Sequence, residues 1–156
     1  MNVIVCSLTP RRRKLVMYSI NFCFDVSAGI DNVFQAISTA SGLSRWWTPD
    51  VTIVPEVGSC AFINFGNRYQ NTMHITECKS PRSFGWICVE GHEEWINTRF
   101  SFLLKALSQK ETEVRFCQSN WKENSDFLAR CSFHWGHYMI SLKSYCETGV
   151  GSPFVE

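Results

Sequence analysis

The chain has 156 residues, a formal net charge of +1 and 45% hydrophobic content, which fits one domain long enough for a core of its own. Near-neutral charge excludes general nucleic-acid binding, which needs a clustered basic excess, and no run of about 18 apolar residues is present to span a membrane. Cys6, Cys23, Cys60, Cys78, Cys88, Cys117, Cys131 and Cys146 form no CxxC or CxxxC pair, so zinc-ribbon and thioredoxin spacings are excluded and buried thiols in a reducing cytoplasm are expected.

Residues 1–16 read as an N-terminal extension ahead of a single domain over 17–156. A secretory signal carries its charges before its apolar stretch, and here Arg11-Arg12-Arg13-Lys14 follow it. An organelle transit peptide is the alternative, since no acid precedes Asp25. "SINFCFDV" alternates Ile20, Phe22, Phe24 and Val26 against Asn21, Cys23 and Asp25, the pattern of a half-buried strand. Helical spacing follows in Ile30, Val33, Phe34 and Ile37. Ser41-Gly42 breaks it, and a second short helix or turn carries Leu43, Trp46 and Trp47 before Pro49.

From Val51 to Trp121 six short runs separated by turn residues predict strands: "VTIV", "SCAFINF", "YQNTMHITEC", "SFGWICVE", "INTRFSFLLKAL" and "TEVRFCQSNW". Asn71, Met73 and Ile75 share one face, as do Phe84, Trp86 and Cys88. Ile96, Thr98, Phe100, Phe102 and Leu104 form a third such set, and Val114, Phe116 and Gln118 a fourth. Short loops between them imply an antiparallel meander. His92-Glu93-Glu94 reads as a solvated hairpin tip, Arg99 as solvent-facing and Glu90 as a carboxylate at a cavity mouth. A curved sheet with one apolar face and one long helix to cover it leaves an interior gap of the kind that commonly holds ligands.

That helix is "SDFLARCSFHWGHYMISLKSYCE", capped by Asn124 or Ser125 and ended by Gly149, Gly151 and Pro153. Leu128, Cys131, Trp135, Tyr138, Leu142 and Tyr145 share the face that should look into the sheet. His134 lies on its flank, one turn before Tyr138, and His137 points to solvent. At i, i+3 the two histidines diverge by about 60° and have no acid beside them, which does not suit a metal; no metal or cofactor is expected. A catalytic His134 would need a proton partner, and the inward polar groups Gln118, Thr98 and Asn71 are a hydrogen-bonding set rather than an acid–base one. Ala129, Phe133, Gly136 and Ile140 make a narrower seam opposite the main face. It is expected to pack a second subunit or the leader "NVIVCSL", the alternative being scattered exposed apolar residues.

"FDVSAGIDNVFQAISTASGLSRWW", "ECKSPRSFGW", "WINTRFSFLL", "TEVRFCQSNW" and "WGHYMISLKSYCETGVGSP" occur in the order seen in START-like, helix-grip SRPBCC proteins. From about Tyr18 to Pro153 the chain resembles the activator of heat-shock-protein-ninety ATPase (AHSA-type) branch, to which the tryptophan pair and the closing "SLKxYxETGxGxP" pattern are fairly specific. The resemblance implies an α+β helix-grip fold: a curved antiparallel sheet of six to seven strands wrapped around a long C-terminal helix, with two short helices after strand one. It fixes function less well, because the eukaryotic co-chaperone makes much of its contact through an additional N-terminal domain with no counterpart here.

The leading expectation is a cytoplasmic module for a small hydrophobic ligand, lipid-like or aromatic. Met73, Trp86, Phe100, Phe102, Phe116, Cys131 and Trp135 would supply walls, Trp46 and Trp47 the mouth, and Gln118, His134 and Tyr138 the polar anchors, with Asn71 and Thr98 as further polar groups. A co-chaperone-like interaction domain and a polyketide-cyclase-like enzyme are the alternatives.

Overall fold

The structure, a computed structural model, describes residues 16–156; the readings made on the preceding leader lie outside the described residues. The elements are β1 (Tyr18–Val26), α1 (Ile30–Ser38), α2 (Ala40–Trp46), β2 (Asp50–Ile53), β3 (Cys60–Phe65), β4 (Tyr69–Lys79), β5 (Ser83–Glu90), β6 (Arg99–Ser108), β7 (Glu111–Trp121) and α3 (Asp126–Thr148). The seven strands form one antiparallel sheet in the order β1-β7-β6-β5-β4-β3-β2. The sheet curves around α3, so the helix-grip architecture is present as expected. Among the described residues, no helix is long and apolar enough to cross a membrane.

The break between α1 and α2 falls at Thr39 rather than at Ser41-Gly42. Thr39 takes extended dihedrals, and its side chain accepts from the Gly42 amide 3.0 Å away, a cap for the new helix. Gly42 sits inside α2 because a Cβ there would collide with the carbonyl oxygen of Gln35 and come within 2.7 Å of the Ala36 backbone. It is a close-approach glycine, not a breaker. β6 begins at Arg99, later than "INTRFSFLLKAL" suggested: Asn97 takes a φ of 70° and Thr98 Oγ1 donates to Trp95 O at 2.7 Å, so residues 91–98 turn. Ile96 is consequently exposed.

α3 is capped by Ser125, whose hydroxyl accepts from Leu128 N at 3.1 Å, and it ends on Gly149 in the left-handed region. It buries Cys131, Trp135, Met139, Ser141 and Leu142. Met139 and Ser141 were not on the expected face, while Leu128, Tyr138 and Tyr145 are only half-buried. The segment after α3 explains Ser141. Its hydroxyl donates to Trp46 O and accepts from Ser152 N, stitching the chain after α3 back onto α2. His137 is exposed, yet it does not simply point outward: its Nε2 lies 3.1 Å from Ser152 O, and a carbonyl can only accept, so that nitrogen carries the proton.

Inside the grip, rings fill the space. Trp47 stacks on Trp46 and on Trp86, each at 5.9 Å between centroids, Trp86 stacks on Phe100 at 5.8 Å, and Trp135 meets Phe116 at 4.3 Å. Aromatic pairs in such arrangements each stabilise by about 0.5–1.5 kcal/mol beyond their area burial. Among them sits Gln118, wholly buried. Its Oε1 accepts from Trp135 Nε1 at 2.9 Å and its Nε2 donates to Thr98 Oγ1 at 3.1 Å. Replacing Gln118 by Leu should leave the indole N–H without its partner and lower stability by about 2 kcal/mol, the cost of an orphaned buried donor, read from the midpoint of urea unfolding.

Candidate functional site

A cleft of about 890 Å³ opens at one end of the grip, where the first half of α3 meets the ends of the strands. Several segments wall it besides Trp47. Phe65, Arg68 and Tyr69 come from the β3–β4 hairpin, Asn71 from β4 and His92 and Trp95 from the β5–β6 connection. Phe127, Arg130, Cys131, His134, Trp135 and Tyr138 come from α3, and Phe154, Val155 and Glu156 from the segment after it.

The β5–β6 connection is fastened to the helix. Glu94 accepts a short hydrogen bond from the Ser125 hydroxyl at the cap of α3. Trp95 Nε1 donates to Cys131 Sγ at 3.4 Å, and the His92 ring lies flat on Phe127 with centroids 3.6 Å apart. The expected solvated tip is therefore a cleft wall, with His92 and Glu94 half-buried. His92 Nδ1 accepts from Glu94 N at 3.2 Å, which leaves the proton of the neutral ring on Nε2. Glu90 is not at the mouth: it is exposed and accepts from Thr72 Oγ1 at 2.8 Å on the outer side of the sheet. Arg99 is exposed, as expected.

Of the predicted site residues, Trp47, Asn71, Cys131, His134, Trp135 and Tyr138 come together on the cleft. Trp46, Met73, Trp86, Thr98, Phe100, Phe102, Phe116 and Gln118 do not line it; they are buried beneath it in the packed interior. This arrangement has a plain cause. The inward strand faces carry rings large enough to reach α3, so they close the middle of the gap and leave space only at its end. Trp46 is held away from the mouth by its own indole, which donates to Ala36 O at 2.9 Å. Gln118 cannot serve as a ligand anchor while both its ends are committed to Trp135 and Thr98.

Sequence reasoning missed Phe65, Arg68, Tyr69, His92, Trp95, Phe127, Arg130 and the three residues after Pro153. These lie in turns, at the ends of strands, in the first turns of α3 or beyond the last element, where periodicity carries little signal. A usable hint was present: Phe127 and Trp95 are large apolar residues next to turn residues, where polar ones are usual.

Burial sets the protonation of two groups here. Cys131 is pushed up to about 11, desolvation outweighing the bond from Trp95, and Tyr138 is raised by desolvation alone. Elsewhere burial pushes Cys88 to about 11 and Cys146 to about 12. Among the described residues, no group of three or more His, Cys, Asp or Glu is arranged to hold a metal ion.

Residues 27–147 match the family model described as Activator of Hsp90 ATPase homolog 1-like protein. The solution structure of the Aha1 dimer from Colwellia psychrerythraea is 32% identical, with 86% of this chain and 99% of that one aligned at a TM-score of 0.77. A conserved protein of unknown function from Enterococcus faecalis is 16% identical over 90% of this chain and 77% of its own, at a TM-score of 0.71. A Bacillus halodurans protein solved in solution is 18% identical over 83% and 97%, at 0.69. These last two likenesses concern the fold alone. Among curated proteins none matches. The architecture is that of the helix-grip class, and the chain belongs to the Activator of Hsp90 ATPase homolog 1-like family.

The raised thiols have a measurable consequence. A group bound more tightly to its proton in the folded state contributes stability below its unfolded value and loses that contribution as pH climbs to the folded one. Cys88, Cys131 and Cys146 should therefore make the protein less stable from about pH 9 to about pH 12. At pH 8 iodoacetamide should modify exposed Cys23 and Cys60 well before these three, as peptide mass mapping would show.

Proposed function

We propose that the protein is a binding module for a small apolar ligand, seated in the cleft at the end of the grip. One observation carries the reading: a preformed cleft of about 890 Å³ lined by rings from several separate segments. That volume lies within the range of small-molecule sites, and its mostly apolar wall with a few polar groups is their usual composition. Its inner polar groups are sparse, which suits holding a molecule more than transforming it.

Native mass spectrometry of freshly purified protein should show a discrete additional mass that is lost on unfolding. Organic extraction would identify its class. For protein isolated empty, titration with 1-anilinonaphthalene-8-sulfonate should quench tryptophan emission, because Trp47, Trp95 and Trp135 line the cleft. An empty spectrum together with no quenching would remove the reading.

A protein-interaction role is the second reading, and the outer face of α3 favours it. Phe133 and Ile140 are 79% and 72% exposed there, with Ala129 exposed beside them, and exposed apolar residues grouped on one face commonly mark a contact surface. Gly136, half-buried in the same row, would set a Cβ 3.9 Å from the Phe22 ring of β1. The similar Colwellia protein is a dimer, so a second copy is the occupant proposed. Ile140→Glu should then convert a dimer to a monomer by multi-angle light scattering, at unchanged thermal stability of the fold. An unchanged mass with loss of stimulation of an Hsp90 ATPase would assign the face to the chaperone instead.

A further inference from the structure

β1 stands at one edge of the sheet, and the ladder fixes which of its backbone groups turn outward. In an antiparallel pair a residue directs its N–H and C=O to the same side, and successive residues alternate. Leu104 N donates to Arg82 O, just ahead of β5, so the odd residues of β6 turn to β7. Ser101 and Leu103 stand opposite Cys117 and Arg115. The even residues Val114, Phe116 and Gln118 therefore turn to Phe24, Phe22 and Ile20 of β1. Ser19, Asn21, Cys23 and Asp25 are left pointing away from the sheet. Two bonds to α3 agree: Lys143 Nζ donates to Asp25 O, and Ser27 N donates to Glu147 Oε1 at 2.8 Å. They close the far end of the edge. Among the described residues no backbone partner closes it at Ser19, Asn21 or Cys23. Natural edges are usually blunted by brevity, lysine or proline. The opposite edge, β2, has only four residues, whereas β1 has nine with neither lysine nor proline.

The helix runs beside this open stretch. A Cβ on Gly136 would stand 3.9 Å from the Phe22 ring, and Lys143 reaches Asp25. Seven residues of helix and three of strand both advance about 10 Å, so α3 and β1 keep step. Phe133 and Ile140 consequently fall alongside the open residues. At about 100° per residue they lie about 60° and 40° around the helix from Gly136, on the side away from buried Trp135 and Met139. Both are exposed, and Phe22 and Phe24, although turned inward, are only half-buried. A strand added to β1 would continue the curve of the sheet around the helix and meet these side chains.

We infer that two copies join edge to edge, β1 pairing antiparallel with β1 of the second copy about a two-fold axis at Asn21. This rests on the reading of a second copy as the occupant of the outer face of α3, and adds to it the strand, the register and the axis. The register follows from Lys143. With Asp25 O already taken, the three open residues are all used when Asn21 faces its own copy and Ser19 faces Cys23. No like charges are then opposed. A strand that pairs antiparallel with its own copy does so about a two-fold, the commonest symmetry of dimers. One operation thereby covers both the backbone edge and the apolar flank of each helix.

Multi-angle light scattering on the full chain should give twice the chain's mass. Asn21→Pro removes an outward N–H and no bond within the sheet, and should give the mass of one chain. Should that variant fail to fold, Asn21→Lys sets like charges face to face at the axis and should also dissociate, with unchanged far-ultraviolet circular dichroism. A cross-link reads the register. In a chain carrying Cys6→Ser, Cys23→Ser and Cys60→Ser, Asn21→Cys should form a covalent dimer on mild oxidation. Directly opposed residues lie about 5.5 Å apart between Cα atoms, within disulfide reach. Asp25→Cys in the same chain should not link, since the register sets it about 27 Å from its copy. A dimer that persists in both Asn21 variants and yields no cross-link, yet is lost in Ile140→Glu, would overturn the strand pairing and leave the second copy on α3. A monomeric wild type would overturn both.

Discussion

A glutamine that water cannot reach sets the geometry of this protein. Gln118 has a donor and an acceptor end, and a buried amide left unpaired is costly. Its acceptor is answered from α3 by Trp135 and its donor from the β5–β6 connection by Thr98, whose hydroxyl in turn holds Trp95 O. One side chain on β7 thus fixes the rotation of the helix over the sheet and the path of the loop beside it. Both are walls of the cleft. A purely apolar residue at this position would leave both the Trp135 indole N–H and the Thr98 hydroxyl without this partner.

The position of the cleft follows from the size of the inward residues. Strands carrying Trp86, Phe100, Phe102 and Phe116 reach far enough to touch Trp47 and Trp135, and the rings close against each other. Protein interiors pack to nearly crystalline density, so such rings leave little room between them. The open volume moves to where the strands end and loops take over. There the wall is assembled from a hairpin, a loop, a helix N-terminus and the segment following α3, held by single hydrogen bonds such as that from Phe154 N to Trp47 O at 2.8 Å.

The strand faces were legible because alternation has only two phases. Asn71, Met73 and Ile75 on β4 and Val114, Phe116 and Gln118 on β7 are all buried, as their spacing required. The cap and stop of α3 were legible for the same local reason: Ser125 and Gly149 do chemistry that their neighbours in sequence reveal. Gly42 misled because a close-approach glycine and a helix-breaking glycine look alike until the partner backbone is known. The cleft was harder still. His92 becomes a wall only because Phe127 lies flat against it from 35 positions later in the chain, and no local pattern encodes such a pairing. Buried and cavity-lining residues carry the same apolar signature, so Phe100 and Trp135 were indistinguishable in the sequence.

The sheet order also has a temporal meaning. β1 and β2 are neighbours among the strands in sequence but stand at opposite edges of the sheet, and β1 finds its partner in β7. On a ribosome, Tyr18–Val26 emerges with no strand to pair with until Glu111–Trp121 has also been made. The hairpins β3 to β7 can zip successively as they appear, each against its predecessor. The first-made strand is then the last to join, and pairings between distant parts of a chain are the slow ones. Until that moment Phe22 lacks the Phe116 ring that it meets in the fold, and β1 stays unpaired with β7 on the nascent chain.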